Sequence, residues 1–147
     1  MRILSKDRRE KGVTLIELVV VMAIVAILGL FMAPAIGEWV DNFRIKQAAR
    51  DIASTLQLAK MQTISTRQTQ SVNFTLADGT YRITPGGSDS QVSKGVTIVA
   101  GSATSISFNP NGTSTTSGTV TINNAKGKQY QVSVSTTGRI QMQEIGE

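Results

Sequence analysis

The sequence predicts an α+β fold in which one long N-terminal helix packs on an antiparallel β-sheet head of seven or eight short strands. Three patterns support it. An uncharged apolar run covers residues 18–36, a helical amphipathic pattern continues to about residue 67, and period-two alternation begins after Thr69. Helical periodicity followed by alternation is typical of a helix laid on a sheet. The long helix thus has a membrane half and an amphipathic half.

The apolar run is long enough to cross a bilayer. Its nineteen residues, from Leu18 to Ile36, include no charge. At about 1.5 Å per residue they would form a helix of roughly 28 Å, close to the hydrocarbon thickness of a membrane. Five Lys and Arg residues against two acids stand in the first twelve positions. Because positive charge stays in the cytoplasm, we predict a single pass with a cytoplasmic N-terminus.

Glu17 lies at the edge of this run and does not suit a plain anchor. An acid at the centre of a membrane helix costs about 2.5–3.5 kcal/mol, and less near an end, so such a residue normally has a partner. Cleavage after Gly12 would make Val13 a free amine one helical turn before Glu17. It would also bring the positive end of the helix dipole near the carboxylate.

The segment G12-V-T-L-I-E17 and the apolar run after it resemble the class III signal peptide of type IV pilins and type II secretion pseudopilins. The resemblance implies that a prepilin peptidase cuts between Gly12 and Val13 and that Val13 becomes N-methylated. It also marks Glu17 and Pro34 as assembly residues, since many members have a helix-kinking proline there. Val13 departs from the usual Phe. The implied location is the bacterial inner membrane, then a pseudopilus or pilus, with the head in the periplasm.

Two other interpretations of the N-terminus stay open. A secretory signal peptide would use the small residues Ala33-Pro34-Ala35 for cleavage, although the apolar run exceeds the usual core of roughly 7–15 residues. A simple signal anchor would need no cleavage. The signal peptide leaves Glu17 unexplained, and the anchor would leave it solvated.

The pattern of residues after the apolar run predicts the structure of the head. Apolar or small residues recur at spacings of three and four and predict a helix face that packs on the sheet: Ile45, Ala49, Ile52, Leu56, Ala59 and Thr63. Alternating pairs then predict short strands around Val72/Phe74, Tyr81/Ile83, Val96/Ile98, Ile106/Phe108, Val120/Ile122, Val132/Val134 and Ile140/Met142. Long flexible connections are predicted over residues 85–94 and 109–118.

We therefore divide the chain into four parts. Residues 1–12 are a cleaved leader, and residues 13–36 are a transmembrane and assembly helix. Residues 37–68 continue that helix in amphipathic form, and residues 69–147 form the β-rich periplasmic head.

A second resemblance concerns the head. The segment S105-I-S-F-N-P-N-G112, with T119-V-T-I after it and V134-S-T-T-G-R139-I near the end, is similar to the pseudopilin H and minor-pilin group. It implies a minor subunit of either a type II secretion pseudopilus or a type IV pilus. Its partners would be other such subunits, the prepilin peptidase, the inner membrane and secreted cargo.

The alternative function is DNA binding during DNA uptake. In some related minor pilins a Gly-Arg-x-Arg element makes the contact, but here Gly138-Arg139-Ile140-Gln141 has no second arginine. The candidate phosphate contacts are Arg82, Lys126, Lys128 and Arg139. The net charge of +5 owes three charges to the first twelve residues, which makes nucleic acid an unfavoured partner.

Catalysis is not expected. The chain has no Cys and therefore no disulfide framework, and it has no His, the commonest general base and metal ligand. Ser and Thr are abundant, but without His a nucleophile would need a Lys partner, and no such pair is indicated. The carboxylates are scattered and form no acid–base or calcium-loop pattern. We predict no enzyme activity, no cofactor and no metal.

Overall fold

The computed structural model describes residues 12–146, without the side chains of residues 31–36. Within this range it has one helix and eight strands: α1 (Leu15–Thr66), β1 (Gln70–Thr75), β2 (Thr80–Thr84), β3 (Asp89–Gln91), β4 (Val96–Ile98), β5 (Ser105–Phe108), β6 (Gly118–Asn124), β7 (Gln129–Val134) and β8 (Ile140–Gly146). The chain divides into two compact units, Met1–Gly37 and Glu38–Glu147.

Both ends of α1 have a local cause. At the start, the Thr14 hydroxyl accepts a hydrogen bond from the Glu17 amide at 3.2 Å, and the Leu18 amide reaches the Thr14 carbonyl at 3.2 Å. Thr14 is thus the N-cap residue. At the other end, Arg67 takes a left-handed backbone with φ of 54°. A residue in that conformation directly after the last turn ends a helix.

The second unit is built around the helix face that the spacing predicts. All six residues of that face have no exposed surface: Ile45, Ala49, Ile52, Leu56, Ala59 and Thr63. Thr63 satisfies its buried hydroxyl by donating to the Ala59 carbonyl at 2.9 Å. The predicted packing face is therefore confirmed.

The strands form two antiparallel four-stranded sheets, ordered β3-β2-β1-β5 and β4-β6-β7-β8. Alternate residues of β1, β2 and β4 to β7 join one hydrophobic core with α1, as Val72 and Phe74 do in β1 and Val132 and Val134 do in β7. Seven of the strands, β1, β2 and β4 to β8, lie where the alternation predicts them. The α+β class is confirmed, and the division into two sheets is an additional finding.

The predicted flexible connection over residues 85–94 is wrong in one respect, because it contains β3. This strand pairs with β2, with Arg82 opposite Asp89. All three of its residues are exposed, so it lacks the buried alternate positions from which a strand is recognised in sequence. In the connection over residues 109–118, an isolated bridge joins Phe108 to Ser114.

Candidate functional site

The predicted processing residues lie together in a short exposed stretch. Gly12, Val13 and Thr14 precede the helix and are exposed, and Glu17 occupies the first turn of α1. Residues 1–11 of the predicted leader lie outside the described part of the chain. The capping role of Thr14 was missed from sequence, although Thr14-x-x-Glu17 has the spacing of a capping box.

Glu17 is placed to receive a positive group. Its carboxylate lies in the first turn of α1, at the positive end of the helix dipole. Among residues 12–146, it has no cation within ion-pair distance. Any ion-pair partner of Glu17 therefore comes from another molecule or from residues outside this range.

The start of α1, with Val13 just before it, presents apolar side chains in every direction. Thirteen large hydrophobic residues between Val13 and Leu30 are exposed, each by 49–82%. Exposure on that scale marks a surface that another apolar phase or molecule covers. Within the described residues, no helix is both long and apolar enough to cross a membrane. The side chain of Pro34, and with it the predicted kink, lies outside the described residues.

The two head motifs meet each other over α1. Gly112 and Gly138 have φ of +81° and +75°, in the left-handed region. A Cβ added at Gly138 would stand 2.0 Å from the Gly112 carbonyl oxygen. Lys60 on α1 donates from Nζ to the Gly138 carbonyl at 2.9 Å. These glycines therefore form a packing junction between two loops and the helix.

The four candidate DNA contacts are not gathered on one surface. Lys126 and Lys128 share the β6–β7 turn, whereas Arg139 follows β7 at its other end, roughly 20 Å away for a six-residue strand. Arg82 belongs to the other sheet.

Three of these cations already have carboxylate partners. Arg82 lies 3.6 Å from Asp89, Lys126 lies 3.3 Å from Glu38, and Lys128 lies 2.7 Å from Glu144. These carboxylates would compete with phosphate. The described geometry thus gives little support to the DNA hypothesis.

A small polar network fixes the exposed strand β8 to its neighbour. The Tyr130 hydroxyl donates to Glu144 Oε2 at 2.5 Å, and Lys128 contacts the other oxygen of Glu144. These two hydrogen bonds, that of Lys128 first, lower the pKa of Glu144. The bond to the carboxylate, followed by burial, raises the pKa of Tyr130. Within the described residues, no group of three acids could hold a metal ion.

A capped N-terminal helix with an uncovered apolar surface, continuing into a head of two antiparallel sheets, defines a pilin-like subunit. The comparisons agree. Residues 48–138 match the family described as Type II transport protein GspH, and residues 7–33 match the prokaryotic N-terminal methylation motif. The chain therefore belongs to the GspH family and is a minor pseudopilin or pilin subunit.

Solved structures show the same fold. The type IV minor pilin FimU of Pseudomonas aeruginosa has a TM-score of 0.58 at 21% identity, covering 71% of this chain and 92% of FimU. A second crystal form gives 0.55 at 22% identity, with coverages of 67% and 91%. The minor pseudopilin EpsH of the Vibrio cholerae type 2 secretion system gives 0.58 at 15% identity, with coverages of 71% and 99%. No match is found among curated proteins.

Proposed function

We propose that this subunit is inserted in the inner membrane by a single pass, cut between Gly12 and Val13, and methylated on Val13. It is then assembled through residues 13–36 into a pseudopilus or pilus, with its head in the periplasm. The observation that carries this proposal is the exposed apolar surface of α1 between Val13 and Leu30. The head core contains none of these residues, so they are free to pack elsewhere.

Burial of this surface keeps the helix out of water, first in the membrane and then in the filament. A large aliphatic side chain contributes about 1.5–3 kcal/mol when it leaves water completely. In the membrane that gain is already made, so packing between subunit helices must add shape complementarity and polar contacts. Glu17 supplies the polar contact, because it meets the N-terminal amine of Val13 in its own chain or a neighbour.

The function of the subunit is structural. Its partners are the proteins that meet its N-terminal helix before, during and after assembly. The prepilin peptidase recognises the leader, and other subunits pack against the helix in the filament. The head then contacts neighbouring subunits or secreted cargo. The match of residues 7–33 to the methylation motif supports this interpretation over a secretory signal cut near Ala35.

Mass spectrometry of the N-terminus from the native host tests the processing step. We expect a chain that starts at methylated Val13, and we expect Gly12→Val to retain the leader. Gly29→Val is the matched control, since an added Cβ meets nothing within 4 Å at either glycine. Normal cutting of the Gly12 variant, or a chain starting at Ile36, would refute the assignment.

Glu17→Gln tests the assembly contact separately. The variant should insert and be cut, yet its recovery in sheared filaments should fall at least tenfold, because removing one member of a buried ion pair costs about 3–5 kcal/mol. Glu38→Gln is the control, since Glu38 is an exposed acid of the head. Equal recovery of both variants would contradict the proposed pairing.

DNA binding is a separate hypothesis with a separate test. A mobility shift of the purified protein with duplex DNA over a salt series should show no binding if the paired cations are unavailable. Binding at low salt with a steep salt dependence would instead favour the DNA-uptake role.

A further inference from the structure

An exposed aromatic pair lies on α1 near the start of the second unit. Trp39, the only tryptophan of the chain, is 68% exposed, and Phe43 is 54% exposed. Their rings stack with centroids 5.9 Å apart and planes inclined by 23°. Neither residue belongs to the head core. Two adjacent aromatic rings left in water indicate a surface that is covered in use.

The same face of α1 changes from aromatic to basic along its length. Trp39, Phe43, Lys46 and Arg50 follow one another at spacings of four, three and four, which places them in one stripe. All four are exposed. This exposed stripe runs next to the buried stripe that begins with Ile45 and shares no residue with it. Its aromatic end is the end closer in sequence to the apolar run, which stops at Ile36.

Strands of the head extend this surface. A shallow cleft of about 310 Å³ is lined by Trp39, Phe43 and Lys46 from the helix and by Lys128 and Tyr130 from the sheet. Lys126, from the same turn as Lys128, reaches Glu38 beside Trp39 at 3.3 Å. Three lysines therefore surround the aromatic pair. We call this set, with Arg50, the aromatic–basic surface.

We propose that the aromatic–basic surface docks the head on the anionic phospholipid headgroups of the bilayer that holds residues 13–36. This inference rests on the proposed single-pass insertion. Tryptophan and other amphipathic aromatics favour the membrane–water interface. Lysine and arginine just beyond them are attracted to anionic lipid. The order along the helix, apolar, aromatic, then basic, is the order of a bilayer from hydrocarbon to headgroup.

Charge and continuity identify lipid as the occupant. Lys126 and Lys128 are paired with the carboxylates of Glu38 and Glu144, so these pairs carry no net charge and the attraction to anionic headgroups rests on Lys46 and Arg50. Lys46 and Arg50 point to solvent from the exposed stripe. Since Trp39 follows the apolar run by only three residues, insertion of that run would place it at the interface. Docking orients the waiting subunit, and extraction into a filament releases it.

The single tryptophan allows a direct test with the full-length chain. Vesicles of phosphatidylcholine alone are compared with vesicles that also contain phosphatidylglycerol, each with lipids brominated near the headgroup. We expect the Trp39 emission to shift further to the blue, and to be quenched more strongly, with phosphatidylglycerol than without it. Lys46→Gln should reduce the ratio of docked to undocked heads roughly fivefold, the factor for about one Lys–lipid contact.

Lys94→Gln is the control variant. It removes the same charge from a loop that lines a different cleft, with Asp78 and Gly95, and should leave the quenching unchanged. Resistance to alkaline extraction is measured first. A chain that is extracted has not inserted, and the proposed function fails. An inserted chain whose Trp39 stays unquenched in both vesicles overturns the docking inference alone.

Two further outcomes also overturn it. Equal quenching in both lipid mixtures, with no effect of Lys46→Gln, would show that anionic lipid is not recognised. A blue shift that grows with protein density in the membrane would show that another subunit, not lipid, covers the surface.

Discussion

Gly138 shows how much a single backbone position can constrain the head. Its φ of +75° is one that side chains adopt at a cost, and an added Cβ would lie 2.0 Å from the Gly112 carbonyl oxygen. Gly138→Ala should therefore displace one loop from the other and strain the Lys60 hydrogen bond. We expect a loss of about 3 kcal/mol or more in the free energy of unfolding, measured by denaturant titration.

Gly127 provides the matched comparison for this loss. It also has a positive φ, of +87°, but an added Cβ meets nothing within 4 Å. Gly127→Ala should thus cost only the left-handed conformation, about 1 kcal/mol. Similar losses for the two variants would show that the junction with Gly112 contributes little.

Glu144 gives the head a defined dependence on acid. Its pKa is lowered from the ordinary value of 4.5 by the Lys128 and Tyr130 hydrogen bonds. A lowered folded pKa stabilises the protein above the unfolded value, and that stabilisation is lost as the pH falls through the folded value. The difference in melting temperature between wild type and Glu144→Gln should be largest above pH 4.5 and vanish in stronger acid.

Tyr130→Phe refines the same experiment. It removes one of the two hydrogen bonds to Glu144 and leaves Lys128 in place. Its melting temperature should therefore depend on pH less than that of wild type and more than that of Glu144→Gln. A difference between wild type and Glu144→Gln that does not change with pH would show that Glu144 acts only through packing.

The sequence identifies unusual residues, but it does not show which residues they contact in the fold. Pattern alone identified Gly112 and Gly138 as members of two motifs, but their meeting depends on contacts between loops that are distant in sequence. The Thr14 cap could have been found, because the Thr-x-x-Glu spacing is local. Glu17 is more conspicuous in the sequence than Thr14, because a charged residue beside an apolar run is unusual.

At the scale of the elements, α1 contains a buried and an exposed leucine whose substitutions can be compared. Leu56 has no exposed surface, whereas Leu58, two residues later, is 50% exposed. Leu56→Ala should leave a cavity and cost about 2–5 kcal/mol. Leu58→Ala should change the free energy of unfolding by less than about 0.5 kcal/mol. Parallel denaturant titrations compare them, and equal losses would contradict the assignment of the buried face.

Elements with a buried face were predictable, as was β8 from its alternating residues, whereas β3 was not. The stripe from Ile45 to Thr63 and the alternation of β7 follow directly from which side must leave water. Strand β3 has no such side, since Asp89, Ser90 and Gln91 are all exposed, and it exists through its pairing with β2. The division into two sheets also depends on pairing partners, which alternation does not specify.

At the scale of the whole molecule, the described core and the exposed apolar surface occupy different parts of the chain. The described core lies between Ile45 and Val134, while the exposed apolar helix lies between Val13 and Leu30. A subunit that moves from a membrane into a filament, as we propose, benefits from this separation. Its head can remain folded while the surroundings of its helix change.

This separation predicts the behaviour of a chain that begins at Glu38. Such a chain retains all described core residues and loses the exposed apolar helix, so it should be monomeric in buffer without detergent. It should also unfold in one cooperative transition. The substitution Leu56→Ala should lower the midpoint of that transition, and Leu58→Ala should leave it unchanged. Light scattering and circular dichroism measure the two properties. The full chain, examined in the same buffer, should associate until detergent or lipid covers the residues between Val13 and Leu30. Aggregation of the shortened chain, or a broad transition insensitive to Leu56→Ala, would mean that the head requires the N-terminal helix to fold.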